Sequence, residues 1–166
     1  MTAQPPSVRH DHVDQWRLAA ARAAHPSSSA GAETILAAIA AGLAAVSPPW
    51  ELTAGRAERS AELDHEPLLA TEAYDAWLVH WPPGASLEAH DHGPSAGAFA
   101  VVSGVLEEAT LRSGVLVSTR LQSGDTVHFE AGHRHRVTNR SPDATTSVHV
   151  YAPPLRAPGR GSSNPT

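Results

Sequence analysis

The spacing of apolar residues changes period once along this chain, and that change organises it. Within residues 34–46, Ile35, Ile39, Leu43 and Val46 share one helical face, which predicts an amphipathic helix of period 3.6. Residues 13–24 carry a weaker version, with Val13, Trp16 and Ala20 at helical spacing and Pro26 just beyond. Ser27, Ser28 and Ser29 offer N-caps for the second helix, and Ser47-Pro48-Pro49 stops it, since proline cannot supply the amide that a helix interior needs. Alanine dominates both segments; it favours helix but adds little core volume. The helices are therefore expected to pack against the outside of a larger body.

From about Ala73 the period falls to two. Short alternating runs occupy residues 76–81, 98–102, 115–119, 125–129 and 146–151. Turn formers separate them: Pro82-Pro83-Gly84, Ser103-Gly104, Ser113-Gly114, Ser123-Gly124, Ala131-Gly132 and Ser141-Pro142-Asp143. Many short strands with regular turn punctuation predict a mainly β barrel or sandwich. The expected organisation is a flexible N-terminus over 1–12, a helical region over 13–72, the barrel over 73–155 and a disordered Pro/Gly/Ser-rich tail over 156–166.

Composition narrows the function. The 166 residues carry twelve arginines, no lysine and a formal charge of −5, which gives neither a basic nucleic-acid footprint nor a polybasic membrane anchor. The most apolar stretch, 34–46, is thirteen residues long, short of the roughly twenty needed to span a bilayer. Residues 1–14 hold no apolar run of the secretory kind, so a cytoplasmic protein, monomeric or a small homo-oligomer, is expected. The chain has no cysteine, which excludes disulfides, thiolate metal sites and cysteine nucleophiles. Seven of its eleven histidines fall between His80 and His149, and they carry the candidate chemistry.

Gly84 is followed, after five residues, by His90-Asp91-His92. On a strand, side chains two apart face the same way, so two imidazoles can reach one ion. Further on, Gly124 precedes Gly132, His135 and Asn139. These spacings resemble the two motifs of the cupin family: Gly84, His90, His92 and Gly104 fill the first, and Gly124, Gly132, His135 and Asn139 the second, with Glu130 where proline is usual. The resemblance implies a cupin double-stranded β-helix (jelly-roll) barrel with the N-terminal helices packed outside, and a metal held by His90, His92 and His135. Gly97 stands where most cupins carry a glutamate ligand, so the implied site has three imidazoles and no carboxylate. Imidazole suits iron, copper, zinc and nickel alike.

The match then narrows. His90-Asp91-His92-Gly93-Pro94-Ser95, His135-Arg136-Val137-Thr138-Asn139 and Ser147-Val148-His149-Val150-Tyr151-Ala152-Pro153-Pro154 resemble the metal and relay segments of the cysteine dioxygenase, or thiol dioxygenase, family. That resemblance implies Fe(2+), a catalytic relay of Ser147, His149 and Tyr151, and conversion of a small-molecule thiol, cysteine or a related one, to its sulfinate with O2. Alternation puts the three relay residues on one face, as such a relay requires. The chain departs from the family twice. Gly97 stands where some members carry a cysteine crosslinked to the relay tyrosine. The stretch His65-Glu66-Pro67-Leu68-Leu69 lacks the arginine that binds a substrate carboxylate in the family, leaving Arg56, Arg59 or Arg156 as substitutes.

Other residues read more plainly. His133 competes with His135 as third ligand, and cupin spacing favours His135. His80 and His128 read as core or surface imidazoles with local partners, and His10, His12, His25 and His65 as solvent-exposed. Glu88 shares the face of His90 and reads as a solvated carboxylate at the barrel mouth. The Glu107-Glu108 pair reads as a wet strand end, and Trp77 and Trp81 as barrel packing, with pocket lining the lesser reading. The alternative function is a metal-binding cupin without sulfur oxidation, either an isomerase or a small-molecule sensor.

Overall fold

The structure, a computed structural model, describes residues 31–46 and 62–155. The expected helix over 13–24, the serine caps, Pro48-Pro49 and Arg56, Arg59 and Arg156 lie outside the described residues. Helix α1 (Ala32–Ala45) starts after Gly31 without a side-chain cap; the Gly31 carbonyl accepts from the amides of Thr34 and Ile35. Its buried face is Leu36, Ile39, Ala40 and Leu43, with Ile35 and Val46 at the margin. The stripe is thus rotated by one residue at its N-terminal end from the one that the spacing predicts, because Leu36 meets the sheet.

Nine strands follow among the described residues: β1 (Asp64–Ala70), β2 (Asp75–Trp81), β3 (Ser86–His90), β4 (Ala96–Ser103), β5 (Val105–Arg112), β6 (Val115–Gln122), β7 (Thr126–Phe129), β8 (His135–Thr138) and β9 (Thr145–Ala152). They form two antiparallel sheets, of order β1-β2-β9-β4-β7 and β3-β8-β5-β6, the mainly β two-sheet barrel that the alternation predicts. The central strands of the large sheet, β2, β9 and β4, are buried on both faces. On its outer face Ala76, Leu78, Ala98, Ala100, Val148 and Val150 pack against α1, and the alanines let the helix approach closely. Its inner face presents Val79, Trp81, Phe99, Val101 and Tyr151, which meet Leu106, Leu121 and Val137 of the small sheet. Fully burying one such aliphatic or aromatic side chain contributes about 1.5–3 kcal/mol.

Sheet pairing begins earlier than residue 73, with β1. Pro67 hides this strand from a sequence reading, and proline belongs on edge strands. β1 is an edge strand, and its register shifts between Pro67 and Leu69.

Two motif residues serve the frame. Gly104 turns β4 into β5 at φ +80°, and a Cβ there would collide with the Thr145 side chain. Asn139 is wholly buried. Its Nδ2 donates to the carbonyls of Trp81, Pro82 and Asp143, and its Oδ1 accepts from the Ser141 amide and hydroxyl. One side chain therefore ties the end of β2 to the loop before β9.

Candidate metal centre

His90 closes β3, and His92 lies beyond the strand rather than on it. The strand ends because Gly93 adopts φ +57° and its amide donates to Asp91 Oδ1 at 2.9 Å, a side-chain turn typical of Asp. The two imidazoles still converge, through the turn instead of strand alternation, with ring centroids 4.9 Å apart. His135 opens β8, where it pairs with His90 across the small sheet. Arg134 Nη2 donates to the Ala89 carbonyl at 2.9 Å and holds the His135 segment against β3.

The three rings can hold a metal ion. Their donor nitrogens lie within 4.8 Å of one another. His90 Nδ1 bonds the Glu88 carbonyl at 2.7 Å, and His135 Nδ1 bonds Glu108 Oε1 at 2.7 Å. Both acceptors require the hydrogen on Nδ1, so in each neutral ring the lone pair sits on Nε2. His92 Nε2 and His135 Nε2 are 3.2 Å apart, which two metal–imidazole bonds of about 2.1 Å span when they meet near a right angle. Burial, then the neighbouring His135 and His90, push His92 down to about 4; its ring is neutral near pH 7, as a ligand must be.

His133 stands apart from this group. It falls in the turn before β8, and its cluster is with Glu108 and His135 rather than with His90 and His92. Glu108 was not legible as a site residue. It is 5% exposed, not a wet strand end, whereas its neighbour Glu107 pairs with Arg140 at 2.7 Å near the surface. The signal that could have found it is its place opposite β8, which only the register supplies.

Gly97 is where the chain lacks an acidic ligand, and the structure gives a steric reason. A Cβ at Gly97 would lie 2.5 Å from the Phe129 ring and 3.0 Å from the Tyr151 ring. Phe129 fills this space and stacks on His92 with centroids 5.4 Å apart.

Ser147, His149 and Tyr151 lie on the inner face of β9 in one buried line. Ser147 Oγ is 2.9 Å from His149 Nε2, and His149 Nδ1 is 3.1 Å from Tyr151 Oη. Trp81 extends the line, because its Nε1 donates to Ser147 Oγ at 2.8 Å. An indole N–H can only donate. Ser147 accepts from Trp81 through one lone pair and keeps its own hydrogen for donation; when that hydrogen goes to His149 Nε2, His149 donates from Nδ1 to Tyr151 and the phenol hydrogen remains for the cavity. Burial, reinforced by the three nearby histidines, pushes His149 down to about 3. Burial and then Asp75 raise the Tyr151 phenol above its ordinary range. Both side chains stay uncharged near pH 7, and the Tyr151 ring lies 4.6 Å from that of His92.

Ligand cluster and relay open on one cavity of about 430 Å³, walled by Leu63, Val79, Leu87, Val137, Leu155 and the two tryptophans. Trp77 and Trp81 thus line the cavity as well as pack. His65, exposed as expected, also borders it, with its ring 5.6 Å from that of Trp77. Glu88 is exposed, and it is its carbonyl that meets His90. His80 is buried in the large sheet and His128 is exposed on β7. None of the described lining residues is an arginine or lysine.

The family model for cysteine dioxygenase type I matches residues 63–160. The chain belongs to the cysteine dioxygenase type I family. Among solved structures, a protein with a double-stranded β-helix domain from Klebsiella pneumoniae is 26% identical, with a TM-score of 0.50 over 57% of this chain and 79% of that one. KdgF from Halomonas sp. is 20% identical, with a TM-score of 0.51 over 60% and 84% of the two chains. A cupin superfamily protein from Desulfitobacterium hafniense is 11% identical, with a TM-score of 0.50 over 57% and 80%. The last two likenesses concern the fold alone, and they agree with the cupin double-stranded β-helix. No helix among the described residues of this cysteine dioxygenase family member is long and apolar enough to cross a membrane.

Proposed function

We propose that this protein is an iron(II)-dependent thiol dioxygenase that converts a small-molecule thiol to its sulfinate. The reaction joins RSH and O2 to give RSO2H; both oxygen atoms end on sulfur, and no outside reductant is consumed. The observation that carries this reading is the meeting, in one cavity, of three imidazoles with a buried hydrogen-bond line that ends on Tyr151. Membership of the cysteine dioxygenase type I family supports it.

His90, His92 and His135 would hold the iron. A bound ferrous ion supplies the Lewis acidity that turns a thiol into a thiolate and the redox reactivity that dioxygen needs. The chain's own contribution is orientation and exclusion. Ser147 and His149 fix the direction of the Tyr151 hydroxyl, so that it donates to substrate or oxygen with no rearrangement at the moment of reaction. Leu63, Val79, Leu87, Val137 and Leu155 keep the cavity apolar, which strengthens that hydrogen bond by excluding water. The deciding experiment is a panel of thiols, assayed for oxygen uptake and sulfinate with the iron-loaded protein. Uptake without sulfinate, for every thiol, would overturn the reading.

A further inference from the structure

Three neutral imidazoles leave the charge of a divalent ion uncompensated, and a buried carboxylate is expensive unless a cation lies near. The structure holds the two halves of that problem side by side. Glu108 on β5 is 5% exposed. The strand register sets Thr110 opposite His135 and Glu108 opposite Val137, which brings Glu108 Oε1 to 2.7 Å from His135 Nδ1. The same oxygen lies 3.9 Å from Nε2 of the half-buried His133. Among the described residues, these two imidazoles are its ion-pair partners. A dication on the far nitrogen of His135 would supply the counter-charge.

We propose that Glu108 is the charge partner and positioning residue of the metal centre, acting through His135. Its carboxylate fixes the His135 tautomer with the lone pair on Nε2 and pushes electron density through the ring, which makes His135 the stronger donor. The packing explains why the charge enters here. Phe129 and Tyr151 close the space at Gly97, so the negative charge approaches from behind a ligand, at His135 Nδ1, rather than beside it. This inference rests on His90, His92 and His135 as ligands.

The test is calorimetric titration of the metal-free full-length protein with cobalt(II) chloride, the cobalt d–d absorption reporting the same sites. The E108Q amide keeps an oxygen that can accept from His135 Nδ1 but loses the charge. Its cobalt affinity is expected to fall roughly 10–100-fold, the usual cost of losing a partner behind a metal ligand, while H133A stays close to wild type. Should E108Q fail to fold by circular dichroism, E108D and E108N form a second pair that differs in charge at equal length, with E108D expected to bind at least about tenfold tighter. Equal affinity within either pair overturns the proposal. So does a second equivalent of cobalt that H133A removes, since Glu108 would then be ligating another ion. A wild-type protein that takes up no cobalt overturns the ligand set and this inference with it. Normal cobalt binding without any sulfinate formation removes only the dioxygenase reading.

Discussion

Trp81 and Ser147 are joined by an indole hydrogen bond of 2.8 Å between neighbouring strands of the large sheet. This bond fills one lone pair of the serine oxygen, anchors Ser147 and leaves the serine hydrogen for donation to His149. Trp81→Phe keeps an aromatic ring but removes the donor. It is expected to cost about 1–3 kcal/mol, the range for leaving a buried polar partner unmet, measured by urea unfolding. Metal uptake should be unchanged. Turnover should fall because Tyr151 loses its fixed orientation; unaltered turnover would make the bond purely structural.

Tyr151→Phe isolates the hydroxyl at the other end. No metal loss is expected, since the phenol is not among the proposed ligands. Losing a hydrogen bond worth about 1.5–3 kcal/mol to a charged partner slows turnover by roughly 10–100-fold. Sulfinate formation at saturating thiol, compared with bound iron per chain, separates the two effects.

For the ligand set, alanine at His90, His92 or His135 should each abolish tight metal retention, measured by metal analysis after gel filtration. His133→Ala should retain metal. The reverse result for His133 and His135 would exchange their roles.

The metal-free protein should weaken in mild acid. His149 has a folded value of about 3 against an ordinary 6.5, so below pH 6.5 the unfolded chain binds a proton that the folded chain refuses. Stability is then lost as pH falls from 6.5 towards 3, by up to about 1.4 kcal/mol per pH unit. His92, at about 4, adds to the loss over a narrower window. The urea midpoint should therefore be lower at pH 5.0 than at pH 7.5, and His149→Asn should flatten the difference. A midpoint independent of pH would contradict the buried neutral imidazole.

Substrate choice is expected to follow from the cavity wall, where none of the described residues is an arginine or lysine. A carboxylate buried against that wall, away from the metal and without an arginine or lysine beside it, would forfeit ~3–5 kcal/mol, or roughly two to three and a half decades of binding. An uncharged thiol such as benzyl mercaptan is expected to outperform L-cysteine in kcat/KM measured by oxygen uptake. Efficient cysteine turnover that disappears in Arg59→Ala but not in Arg156→Ala would show that Arg59 supplies the cation.

Much of the barrel is written in local pattern. The alternating runs correspond to β2, β4, β6, β7 and β9, each bounded by turn formers. Four strands carry no such signal. β1 contains Pro67, β3 is almost wholly exposed, β8 buries three of its four residues and so does not alternate, and in β5 two adjacent glutamates mask an alternation that buries only the second. The site divides along the same line. His90, His92, His135 and the β9 triplet, the proposed site residues that the structure brings together, sit at fixed intervals along the chain, so spacing singles them out. Glu108 and Trp81 take their places through pairing between distant segments, and no local interval encodes a register. The turn that ends β3 before His92 was hidden because strand alternation and this turn bring the same two rings together.

The filled space at Gly97 also dictates an order of change in evolution. A chain that gained a glutamate at 97 while Phe129 remained would carry a side chain with nowhere to go, and overpacking a core costs about 1–3 kcal/mol or more. Shrinking Phe129 first is the lesser step, though it strips the stacked face of His92. The route from this cluster of three imidazoles to one that adds a carboxylate at 97 is therefore gated by Phe129, which supplies no donor atom to either. Related sequences that carry an acidic residue at the matching position should already hold a smaller side chain where this one holds Phe129.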